Sequence, residues 1–119
     1  MDINAVLRAP TVGNLTGDET LTDFDLTPMS NPMYMHVIVP SVTSGDVLDV
    51  IADFENSSNT TLQQTTIPQI SAAGHYVMPL FCDHPDLSDL SVILNVTLDS
   101  TVAGSFGAVS VYLSTSRIS

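Results

Sequence analysis

Apolar residues recur at every second position through most of this chain. That is the period of an extended strand, whose successive side chains face opposite ways. In DVLDVIADF (46–54), Leu48, Val50, Ala52 and Phe54 share one face, and Val47, Asp49, Ile51 and Asp53 share the other. The pattern predicts a strand with one buried and one partly wetted face. In LSVILNVTL (90–98), Leu90, Val92, Leu94, Val96 and Leu98 oppose Ser91, Ile93, Asn95 and Thr97. In GAVSVYLS (107–114), Val109, Val111 and Leu113 oppose Ala108, Ser110 and Tyr112. MYMHVIVP (33–40) and HYVMPLF (75–81) are apolar on both faces, which predicts central strands or strands beneath a subunit interface.

Turn-forming residues separate these runs. PSVTSGD (40–46) and ENSSNTT (55–61) follow the first two strong strands, and the second reads as an exposed loop tip. SAAG (71–74) joins TTIPQI to HYVMPLF as a short hairpin signal, and DSTVAGSFG (99–107) carries Gly104 and Gly107 between the last two strands. Pro68 and Pro79 assign their strands to sheet edges or bulges, because proline cannot donate to a ladder.

Residues 1–30 differ. Their periodicity is weak and turn formers are frequent. Leu21, Phe24 and Leu26 can anchor one short strand, and the remainder reads as an extended N-terminal arm. Residues 31–119 then hold the globular domain. Seven or eight short strands at this spacing, with no helical stripe, predict an all-β antiparallel sandwich, jelly-roll-like in form.

Charge narrows the function classes. The 119 residues include 13 acidic side chains, two arginines (Arg8 and Arg117) and no lysine, for a formal net charge of −11. Nucleic-acid binding draws most of its affinity from cations that neutralise phosphates, and anionic membranes repel such a chain. Neither partner is expected. The acidic surface serves solubility first, and a basic protein partner second. No apolar run approaches the ~20 residues of a membrane helix. The start MDINAVLRAP has Asp2 where a signal peptide carries positive charge and lacks a long apolar region, which predicts synthesis in the cytoplasm. On that reading the four sequons at Asn14, Asn56, Asn59 and Asn95 are not glycosylated.

The densest candidate chemistry is FCDHPDLSDLS (81–91), with Cys82, Asp83, His84, Asp86 and Asp89. Zinc sites favour pair spacings such as C-x₂-C, and side chains adjacent on an extended chain point apart. An EF-hand requires alternating aspartates, a central glycine and a terminal glutamate, none of which is present. Catalysis by Cys82 needs an imidazole brought beside it, with His36 and His75 as the candidates. No G-x-S-x-G, H-E-x-x-H or phosphate-binding glycine loop occurs. The simpler reading is a loop with one helical turn starting at Pro85, capped by Asp83 or Asp86, with Cys82 as a small buried hydrophobe. His36 and His75 read as hydrogen-bonded strand residues. No catalytic residue, metal or cofactor is assigned.

Three stretches carry a resemblance. SGDVLDVIADFENSSN matches a G-D-x-L-x-V opening strand at Gly45, Asp46, Leu48 and Val50. IPQISAAGHYVMPLF matches I-x-A-A-G-x-Y at Ile70, Ala72, Ala73, Gly74 and Tyr76. LSVILNVTLDSTVAGSFGAVSVYL ends in an F-G-x-V strand at Phe106, Gly107 and Val109. Together, over a little more than half the chain, they resemble the head decoration (cement) proteins of tailed bacteriophages. The arginine usual in that family's long strand is absent here, where LSVILNV stands. The resemblance implies a jelly-roll-like sandwich, often trimeric, on the outer surface of an icosahedral head. It implies a major capsid protein as partner, and neither enzyme activity nor cofactor. Leu21, Phe24, Leu26, Met29 and Met33 are the apolar candidates for the capsid contact. The alternatives are a carbohydrate-binding or adhesion sandwich, or a small tail- or fibre-associated virion protein. The carbohydrate reading wants exposed aromatics for stacking on sugars, and the chain has no Trp, three Tyr and four Phe.

Overall fold

The computed structural model of the chain describes residues 3–13, 15, 18–25, 33–43, 46–55, 60–80, 93–100 and 106–114. Eight strands run through them: β1 (Ile3–Arg8), β2 (Glu19–Asp25), β3 (Met33–Val39), β4 (Leu48–Glu55), β5 (Thr61–Ile70), β6 (Gly74–Leu80), β7 (Ile93–Ser100) and β8 (Ser110–Ser114). A 3₁₀ turn, Pro10–Val12, lies between β1 and β2.

Two four-stranded antiparallel sheets result, in the orders β1-β8-β3-β6 and β2-β7-β4-β5. Four of the pairings are nested. Val50 lies opposite Ile67, Met35 opposite Met78, Leu21 opposite Val96 and Val6 opposite Tyr112, all roughly symmetric about the stretch between β4 and β5. The chain is therefore one long antiparallel ribbon folded back near its middle. Rolling that ribbon adds two further pairings, β3 with β8 and β4 with β7, and closes the jelly roll.

Alternation decides which residues meet inside the roll. Leu48, Val50, Ala52 and Phe54 of β4 and Leu94, Val96 and Leu98 of β7 are fully buried from one sheet. Met35, Val37 and Val39 of β3 and Val111 and Leu113 of β8 face them from the other. Phe54 and Phe106 are the largest of these side chains, and burial of each contributes about 1.5–3 kcal/mol. Asp49, Ile51 and Asp53, on the opposite face of β4, are only half-buried.

The proline rule holds at both positions. Pro68 lies on β5 and Pro79 on β6, each strand forms an edge of its sheet, and both prolines are exposed. At Pro68 the ladder bulges: β5 spends three steps from Ile67 to Ile70 while β4 spends two from Val50 to Leu48. Gln69 there adopts a left-handed φ of 53°, and its amide donates to Asp49 Oδ1 at 2.7 Å. That side-chain acceptor replaces the ladder bond lost at the bulge. Of the two runs apolar on both faces, β3 is a central strand as expected, whereas β6 is an edge.

The first 30 residues differ from the expected arm with one short strand. β2 spans the predicted anchors Leu21 and Phe24, but Ile3–Arg8 is a strand as well, paired with β8. Leu7 and Leu15 belong to the core. The register of β1 shifts twice, between Ile3 and Ala5 and between Val6 and Arg8, and these bulges break the period-two signal that would have marked a strand. The second shift leaves the neighbours Leu7 and Arg8 both buried. Arg8 is satisfied there. It pairs with Glu19 of β2, and its Nη1 donates to the carbonyls of Val109 at 2.6 Å and Gly13 at 3.1 Å. One guanidinium thus ties a strand of each sheet to the turn ahead of β8. Glu19 is about one-third exposed, so its share of the ion pair is discounted for solvent screening. The buried bond to the Val109 carbonyl is the stronger part, and the bond to Gly13 is part-buried.

Gly107 completes that junction. Its carbonyl accepts from the amides of Leu15 at 2.8 Å and Val109 at 3.0 Å, its φ is +69°, and a Cβ there would lie 2.9 Å from the Pro40 ring and 2.8 Å from Ser41 Oγ. Gly13 also has positive φ, +99°, but nothing lies within 4 Å of an added Cβ. Gly107→Ala should therefore cost about 2–3 kcal/mol, and Gly13→Ala about 1 kcal/mol, the backbone term alone. Denaturant midpoints of the two variants test the ranking. Deleting residues 2–20 removes β1, Leu7, Leu15 and Arg8 together. The expected outcome is loss of the cooperative unfolding transition, followed by circular dichroism; a truncated chain as stable as the full one would restore the arm.

Candidate functional site

The side-chain cluster with chemistry sits on the outward face of the β1-β8-β3-β6 sheet. Met35 and Val37 point into the core, so His36 between them points away from it. His36 lies opposite Tyr112 on β8, while Val77 faces it from β6 and His75 lies diagonally across. Three adjacent strands thereby bring two imidazoles and a phenol into one row. Sequence spacing alone could not show this, because the three lie far apart along the chain and meet only through the β3 register.

The geometry is close. His36 Nδ1 and His75 Nε2 are 2.8 Å apart, and the Tyr112 hydroxyl is 3.4 Å from the same His75 nitrogen. The His36 and Tyr112 rings stack with centroids 4.8 Å apart and only 4° between their planes. His36 is fully buried and Tyr112 is 6% exposed, although both face outward from the sandwich. His75, on the edge strand, is exposed. Desolvation, and then the neighbouring His36 imidazole, hold the His75 pKa below its ordinary value. Desolvation raises that of Tyr112. A phenol shifted upward stays protonated at neutral pH and is a poor nucleophile. The row is thus suited to holding and passing protons rather than to attacking a substrate. No concave pocket opens among the described residues.

The outward face of the other sheet is acidic. Asp49 and Asp99 lie opposite each other on β4 and β7. Asp99 has its pKa raised, first by the charge of Asp18, then by desolvation, by a hydrogen bond with Asp18, and by Asp49. Gln64 Nε2 donates to Asp53 Oδ1 at 2.6 Å on the same face. No group of three or more metal-ligating side chains occurs among the described residues.

The apolar contact candidates are placed unevenly. Leu21 and Phe24 are half-buried on β2 and pack against the core, and Met33 of β3 is only 7% exposed and is part of it. These three are held by the fold itself. Leu26 and Met29 lie outside the described residues, as do Cys82, Asp83, His84, Asp86 and Asp89. Six matched positions of the resemblance have structural explanations. Leu48, Val50, Ile70, Phe106 and Val109 are core residues, and Gly107 occupies a site closed to any side chain. No family model, no curated protein and no solved structure matches the chain.

The acidic face gives a pH dependence of defined sign. A carboxyl whose folded pKa is raised binds its proton more tightly in the folded chain than in the unfolded one. Its contribution to stability therefore grows as pH falls through the raised value. Asp99→Asn should raise the melting temperature at pH 7, and the advantage should vanish below about pH 4, where the wild-type carboxyl is itself protonated. Thermal melts of both proteins across that range check it, and added salt should shrink the difference at pH 7.

Proposed function

We propose that this chain is a structural virion protein of the decoration or cement kind, a homotrimer fixed to the outer surface of a phage head and bracing the major capsid protein. The observation that supports this best is the contrast between the two outward faces. In a chain of net charge −11, the described residues of β1, β8, β3 and β6 contain no carboxylate. Their outward positions include Val6, Tyr34, Ile38, Val77 and Pro79, all exposed or half-buried. The other sheet turns Asp49, Asp53 and Asp99 outward. A face without like charge is where a second copy or a capsid subunit can approach at least electrostatic cost, while the acidic face stays in solvent. The same reading is consistent with a sandwich that carries no pocket among its described residues, and with the sequence resemblance. Catalysis has no place in it.

The reading attaches the protein through a folded sheet rather than an arm, because residues 3–8 and 19–25 are already committed to strands. A carbohydrate-binding role is less well supported. Every described Phe and Tyr is buried or half-buried, so the described residues offer no fully exposed ring to stack on a sugar.

Purified chain mixed with undecorated phage heads should co-sediment with them and raise their heat-disruption temperature. Binding should weaken when Ile38 and Val77 are replaced together by aspartate, with the fold retained by circular dichroism. Absence of both binding and protection would end the cement reading. A monomer mass by light scattering at micromolar concentration would end the trimer.

A further inference from the structure

The contact between His36 and His75 does more than fill a hydrogen bond. We propose that the two imidazoles form an acid-labile latch, fastening the edge strand β6 to the inner strands of its sheet and releasing it when both rings are protonated. The proposal is independent of the virion reading.

The geometry sets the rule of operation. At 2.8 Å, one of the two facing nitrogens carries a hydrogen and the other presents a lone pair. A first proton taken up by the pair leaves that arrangement possible, because each ring has a second nitrogen. A second proton does not. Both facing nitrogens would then carry hydrogens, and two cations would sit in contact with one ring fully buried. The latch therefore holds with none or one proton and opens with two. The two protonations are coupled through the shared contact, and the one that puts hydrogens on both facing nitrogens opens it.

Among the described residues, the strands of this sheet carry no carboxylate that would offset the second charge. The groups that face the pair are the Tyr112 phenol from β8, stacked on His36 and 3.4 Å from His75 Nε2, together with Ile38 from β3 and Val77 from β6. Tyr34 is the other titratable side chain on the outward face of β3. On β1, Val6 lies opposite Tyr112, and the one cation, Arg8, is engaged by Glu19 and two carbonyls away from the row. The described carboxylates lie on the other sheet or its flanking turns. The depressed pKa of His75 agrees with this environment: desolvation comes first and repulsion from His36 second.

The sign follows. A histidine whose folded pKa lies below its unfolded value leaves the unfolded chain binding more protons between the two values. The stability it contributes is complete above about pH 6.5 and is lost as pH falls toward the lowered value. Net charge acts oppositely here, because acidification reduces the self-repulsion of a chain at −11. The latch is therefore read as a difference between two proteins that share the general effect. His75 is the position to change, since it is exposed and its loss leaves the core intact. His75→Gln keeps a hydrogen-bonding group beside His36 and removes the second protonation.

The experiment uses the full chain. Nitrogen NMR of the His75 imidazole from pH 8 to 4 should show it titrating below 6.5. Hydrogen-exchange protection of the β6 amides, corrected for intrinsic exchange, should fall about tenfold between pH 7 and 4.5 in the wild type, and stay within about twofold in His75→Gln. His75 titrating at or above its ordinary value would overturn the proposal, on the wild-type protein alone. So would β6 protection that follows the same pH course in both proteins.

Discussion

Everything in this structure depends on a single antiparallel ribbon being rolled with the same face inward along its whole length. Side chains alternate, so a slip of one residue in any pairing would turn a strand's apolar set out to solvent. The nested pairs β4·β5, β3·β6, β2·β7 and β1·β8 share one centre, so each pairing constrains the next outward. Bulges are the only freedom. At two of the bulges, Pro68–Gln69 and around Arg8, a side chain supplies a hydrogen bond that the ladder does not.

The roll also concentrates its demands at one junction. Arg8, Glu19, Leu15, Gly107 and Val109 come from four separate stretches of chain and meet where β1 passes beside the entry to β8. A buried guanidinium is stabilising only when its donors find acceptors, and here two are backbone carbonyls whose own burial required a partner. Gly107 stands beside them in a left-handed conformation, its own carbonyl accepting from the amides of Leu15 and Val109. In a chain with two arginines, this use of one of them internally leaves the described surface with almost no positive charge to oppose its acids.

The separation of charge between the two outward faces links the fold to the proposed function. Carboxylates crowd one sheet closely enough to shift Asp99, while the other sheet presents apolar side chains around a histidine pair. An apolar outward face opposite an acidic one is the feature on which the proposed coating role rests. The histidine row lies on the apolar side, which the proposed function takes as the contact face, so a proton-dependent loosening of β6 would act there.

Much of the architecture was legible in the residues themselves. The alternation in 46–54 and 107–114 marks the inward faces of β4 and β8, and Pro68 and Pro79 mark edge strands, because both rules act through the local backbone. The strand at 3–8 was not legible. Its partner is at the far end of the chain, its period is broken by bulges, and its buried charge looks exposed until Glu19 and two carbonyls are brought to it. The candidate site was hidden for the same reason. His36 and His75 each read as ordinary strand residues, and only the registers of β6 on β3 and β3 on β8 set them against each other and against Tyr112. Local sequence determines which way each side chain points; long-range pairing alone decides what it meets there.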